Sequence, residues 1–151
     1  MDITQVAALE HTIQETNVWL KKLADDHHLG DRPHAYNALR AVLHALRDRL
    51  TPEQAVHLGA QLPILVRGIY YEGWRLAGKP TNERQPAEFA TSVATHLPPQ
   101  FPRDSLSVTK AVFDLLRKEL DPGETAKVIS ELPVPLRALW PDRPSSGTPQ
   151  L

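Results

Sequence analysis

AVLHALRDRLTPEQAVHLGAQLPILVRGIY, residues 41–70, lies on AVFDLLRKELDPGETAKVISELPVPLRALW, residues 111–140, without a gap at an offset of seventy. Ala41, Val42, Leu46, Arg47, Leu50, Pro52, Leu62, Pro63 and Arg67 recur as Ala111, Val112, Leu116, Arg117, Leu120, Pro122, Leu132, Pro133 and Arg137. Nine identities in thirty positions exceed the roughly two expected from average residue usage. Other pairs keep their physical class, among them Leu43/Phe113, Leu58/Val128, Ile69/Leu139 and Tyr70/Trp140. The offset continues upstream through Trp19/Phe89, Leu23/Val93, Ala24/Ala94 and Arg40/Lys110. A period of this length reads as two copies of one unit.

Within each copy the apolar spacing is helical. Tyr36, Leu39, Leu43, Leu46 and Leu50 recur at three- and four-residue steps, predicting a helix over residues 32–50. Asn37, Arg40, His44, Arg47 and Asp48 fall on the opposite arc, which reads as a wet face. Upstream, Thr12-x-x-Glu15 has the form of a capping box opening a helix to about residue 28, with earlier apolar residues spaced to extend it. Gly30 and Asp31 then suit a left-handed C-terminus and the next N-cap. Thr51-Pro52-Glu53-Gln54 starts a third helix to about residue 60, and Leu62-Pro63 restarts the chain as a fourth over residues 63–71. The second copy predicts helices over residues 86–96, 103–120, 122–131 and 133–140. No segment alternates like a strand.

The expected fold is therefore all-α, two tandem four-helix units packed as a pseudo-dimer. Residues 1–75 form the first unit and 86–141 the second. The polar stretch 76–85 reads as a linker, and 142–151, rich in Pro, Ser and Gly, as a disordered tail.

Composition narrows function mainly by exclusion. Seventeen basic against eighteen acidic residues leave a formal charge of −1, so nucleic acid is not the expected partner. No stretch is apolar enough to span a membrane and the N-terminus lacks the features of an export signal. The absence of cysteine removes disulfides and thiolate chemistry, and a cytoplasmic location follows most simply. No nucleophile–base spacing or phosphate loop occurs, so no catalytic residue and no cofactor is assigned, and an enzyme is the less favoured reading. The seven histidines lack paired ligand spacing and read as surface residues, with no metal expected.

The segments AVLHALRDRLTPEQA, AQLP and RGIYYEGW, followed by ELPVPLRALWP near the end, resemble a bacterial family known as domain of unknown function 2267. The resemblance covers roughly residues 14–141. It implies a small helical protein of the bacterial cytoplasm and brings no activity, substrate or catalytic residue with it.

Two sets of residues stand out as candidates for binding. Tyr71, Glu72 and Trp74 have no apolar counterpart in the second copy and, with the Arg40–His44–Arg47 face, suggest a groove for an unidentified protein partner or a second copy of the chain. The leading reading is thus a non-enzymatic interaction module. Alternatively, Arg47, Arg67, Arg117 and Arg137 converge between the units, with Glu72 nearby, to bind a small ligand or anion. The bland reading of these arginines is that they cap carbonyls freed at the Leu-Pro breaks.

Overall fold

A computed structural model describes residues 6–142. Among these residues there are eight helices and no strand. They are α1 (Ala7–Asp26), α2 (Arg32–Arg49), α3 (Pro52–Gly59), α4 (Ile64–Tyr71), α5 (Pro86–His96), α6 (Ser105–Glu119), α7 (Pro122–Glu131) and α8 (Val134–Arg137). The expected tail at 142–151 lies outside the described residues apart from Asp142.

Most starts follow from side chains that satisfy the free N–H groups of a first turn. Asp31 accepts from the His34 N–H at 3.0 Å, and Asp104 from the Ser107 N–H at 3.0 Å. Thr51 and Gln54 form a reciprocal capping box, and Asp121 accepts from the Gly123 and Glu124 N–H groups. The box expected at Thr12 is not there. α1 begins five residues earlier, and Thr12 is buried within it. Its hydroxyl instead accepts the Leu65 N–H at 2.9 Å, capping α4, whose own N-cap is Pro63 and offers no acceptor.

The last helix is one turn, shorter than the expected 133–140. The Leu139 and Trp140 N–H groups bond to Leu136 and Arg137, three residues back, so the chain tightens into a turn ahead of Pro141. Trp140 still reaches the core, stacking on Phe113 at 3.9 Å between ring centroids.

α2 and α6 run through the centre and touch each other. α1 packs on α2 and α6, while α5 packs on α6 and α2; α3 meets α7. The core is aliphatic, with Leu23, Leu39, Leu43, Leu46, Leu115 and Leu116 almost wholly enclosed. The predicted wet face of α2 is a correction: α5 is its most extensive neighbour, and His44 and Arg47 are each only 3% exposed. Alanines at 38, 41 and 45, all buried, let another helix approach that side closely. The polar stretch 76–85 is pinned there too. Its Thr81 N–H bonds to the Asp48 carbonyl at 2.9 Å, and Arg49 Nε to the Glu83 carbonyl at 2.6 Å.

Candidate functional site

The C-terminal end of α4 gathers most of the predicted residues. Its freed carbonyls need donors, and α2 supplies them. Arg47 donates through Nη1 to the Tyr70 and Glu72 carbonyls, both at 2.9 Å, and through Nε to Asp48 at 2.9 Å. His44 donates through Nε2 to the Ile69 carbonyl at 2.7 Å. Arg40 Nε meets the Glu72 carboxylate at 3.0 Å, and that bond holds the exposed Glu72 below the usual carboxylate range. Arg40, His44, Arg47 and Glu72 are therefore brought together, but His44 and Arg47 face carbonyls and not an open groove.

Tyr71 and Trp74 are half-buried against the core, ring centroids 5.6 Å apart. The Tyr71 hydroxyl points along α3 to the Val56 carbonyl at 3.4 Å. The Trp74 indole N–H is buried without a partner.

The four repeated arginines are each engaged by backbone carbonyls. Arg67 donates to the Leu62 carbonyl at 2.9 Å and Arg137 to the Leu132 carbonyl at 3.0 Å, each closing its own Leu-Pro break. Arg117 donates to the Asp142 carbonyl at 2.8 Å, as Arg47 does to that of Glu72. Each guanidinium bonds within its own stretch of chain, which favours the carbonyl-capping role over a shared anion site.

An apolar strip lies along the first turns of α1 and the start of α4. The Thr12–Leu65 bond holds the two helices together. At the start of α1 Val6, Leu9 and Ile13, and at the start of α4 Ile64 and Leu65, are all exposed, Ile64 to 61%.

A cleft of about 590 Å³ opens elsewhere, where the end of α1 meets α6 and residues 138–141. At its edge Asp114 accepts from His27 Nε2 at 2.9 Å and from Lys118 Nζ at 3.1 Å, and Lys118 also lies 3.7 Å from Asp26.

A family model described as uncharacterized conserved protein (DUF2267) matches residues 16–139. The chain belongs to the DUF2267 family. No curated protein matches it.

For this DUF2267 protein the histidines are the clearest departure from the sequence reading. His44 is buried, and its ring stands edge-on to that of His96 at 5.7 Å. Burial lowers the pKa of both, reinforced by Arg47 and Arg40. Among the described residues no group of three or more ligating side chains is placed to hold a metal, and no helix is long and apolar enough to cross a membrane. The His27–Asp114 pair went unseen because its members are 87 residues apart; the available signal was the change of His44 to Asp114 at matched positions, which called for a new partner.

Proposed function

We propose that this DUF2267 chain is a non-enzymatic protein-interaction module of the bacterial cytoplasm, built as a fused pseudo-dimer of two four-helix units, 1–75 and 86–141, joined by 76–85. Several hydrogen bonds recur at the seventy-residue offset, which supports the duplication. Arg67 to the Leu62 and Ala60 carbonyls answers Arg137 to those of Leu132 and Ser130; Arg47 to Glu72 answers Arg117 to Asp142. The helix neighbours also exchange in pairs, α1 on α6 for α5 on α2.

The observation that carries the interaction reading is the strip formed by Val6, Leu9, Ile13, Ile64 and Leu65. Single exposed apolar residues are normal on a protein surface, but adjoining ones from two helices mark a contact site. Residues 7–15 have no helical counterpart before α5, which starts at Pro86. Among the described residues, nothing covers this strip on the first unit. Its chemistry suits an apolar helix from another protein. With His44 and Arg47 buried and only Arg40 and Glu72 of that side left at the surface, the docking surface moves from there to α1 and α4.

Affinity capture from the host, comparing wild type with Leu9→Glu and Ile64→Glu, tests the reading. Both side chains are more than half exposed, so both variants are expected to melt like wild type. Loss of the same partner from both supports the strip as the docking surface; retention by both overturns it. Sedimentation of the purified chain separates a foreign partner from a second copy.

A further inference from the structure

The corner where α2 passes into α3 faces the corner where α7 passes into α8. Between them lies a cleft of about 350 Å³, lined by Arg49, Thr51, Gln54, Arg84, Glu131 and Arg137 with a few apolar neighbours. Three guanidinium groups thus stand against one carboxylate. Arg49 is held by Nε on the Glu83 carbonyl at 2.6 Å, with the Glu83 carboxylate no nearer than 4.0 Å. Arg137 is held by Nε on the Leu132 carbonyl and by Nη2 on that of Ser130. Those bonds orient both groups and leave further N–H donors free. The Arg84 side chain makes no hydrogen bond to any described residue, only its backbone N–H being engaged, by Glu88.

The fold does not require this charge. At the positions seventy residues on, Arg49, Thr51 and Gln54 become Glu119, Asp121 and Glu124, while Arg137 is matched by Arg67. One corner of the scaffold carries acids where the other carries bases. Such divergence between equivalent places points to what the surface meets, since the same backbone tolerates both.

We propose that this cleft binds the phosphate group of a small phosphate monoester. Guanidinium forks match phosphate oxygens in pairs. Arg84 and Arg137, with Arg49 partly neutralised by Glu83, leave a net positive cleft that suits a group carrying about −1.5 to −2 near neutral pH. The volume falls in the range of roughly 300–1,000 Å³ typical of small-molecule sites. A long polyanion is disfavoured by the net charge of −1 and the acidic second corner. The walls are mostly polar, so the body of the ligand is polar, as in a sugar phosphate.

Calorimetric titration at constant ionic strength tests this with ribose 5-phosphate, glucose 6-phosphate, inorganic phosphate and glucose. Saturable binding of at least one sugar phosphate is expected, tighter than inorganic phosphate, with none for glucose. Arg84→Gln, whose side chain supports nothing in the fold, is expected to weaken that binding roughly tenfold, the scale of one charge-assisted hydrogen bond. Arg84→Lys should recover only part of it. The proposal is overturned by no binding of either ester at millimolar concentration. It is equally overturned if inorganic phosphate binds as tightly as the esters, or if Arg84→Gln binds like wild type.

Discussion

His44 on α2 and His96 on α5 meet edge to face, 5.7 Å between ring centroids, at the crossing that joins the two halves of the chain. Burial lowers the pKa of each below the ordinary 6.5, and Arg47 and Arg40 push the same way; Asp48 opposes them at His96. Well above pH 6.5 both rings are neutral, folded or unfolded, and they add no pH dependence. As the pH falls below that value the unfolded chain takes up protons that the folded chain refuses, so stability declines. The limiting slope is about 1.4 kcal/mol per pH unit for each histidine. Urea unfolding at about pH 7.5 and pH 5.5 is expected to show a loss at the lower pH that shrinks in His96→Gln. An equal loss in that variant would mean the rings are not the sensor. Glu72 and Glu83, both lowered, act in a separate window below the ordinary carboxylate value.

Gly59 lies directly under the ring of Tyr71. A Cβ built on this helical glycine would stand 2.2 Å from the Tyr71 hydroxyl and 2.6 Å from the ring carbon that bears it. Alanine should favour a helix by close to 1 kcal/mol over glycine, yet here the clash dominates. Gly59→Ala is expected to destabilise by about 1–3 kcal/mol, and the double variant with Tyr71→Ala to lose less than the sum. Seventy residues on, Ile129 stands with Pro141, a larger residue where there is no aromatic ring. Additive losses in thermal unfolding would show that the ring does not press on position 59.

Much of the fold is legible because short-range chemistry fixes it. Asp31, Thr51, Asp121 and the two Leu-Pro breaks each mark an element within a few residues, and the structure uses all of them. Long-range pairing is what the sequence hides. The arc of Arg40, His44 and Arg47 reads as wet from the period of α2 alone. Nothing local says that α5 covers it. Thr12 shows the same limit, since a hydroxyl that fits a local cap serves Leu65, 53 residues away. For the candidate site, sequence proximity grouped Glu72 with Trp74 and Tyr71, and the repeat singled out four arginines. Only the folded chain tells which of these face carbonyls and which face solvent.

Arg67 and Arg137 close equivalent breaks with unequal bonding. Arg137 engages the Leu132 carbonyl through Nε and that of Ser130 through Nη2, at 3.0 and 2.9 Å. Arg67 makes one bond of similar length, to Leu62, and a longer one to Ala60 at 3.4 Å, while its Nε is buried without a partner. Alanine at either site frees a carbonyl at a helix break, which costs about 1–2 kcal/mol. Arg137→Ala is expected to be the more harmful of the two in chemical denaturation. Lysine should rescue neither fully, because a single ammonium does not reproduce the fork. Equal losses would point to side-chain packing in place of the carbonyl bonds.

Asp114 stands seventy residues on from His44, and it has donors of its own. Its carboxylate receives His27 from α1's C-cap and Lys118 from its own helix, and it is 7% exposed. Arg103 adds a bond to the His27 carbonyl at 2.9 Å, holding that end of α1 in place. Removing one partner of a well-enclosed charge pair leaves the other unsatisfied, which costs more than the pair contributes. Asp114→Ala is expected to lose about 2 kcal/mol, less than for a fully buried pair because Lys118 keeps Asp26 and some solvent. His27→Gln retains a donor and should lose under about 1 kcal/mol. In a double-mutant cycle the two changes should be coupled, since both act on one hydrogen bond. Independent losses would mean that the His27–Asp114 bond follows from the packing of α1 on α6 and does not help to hold it.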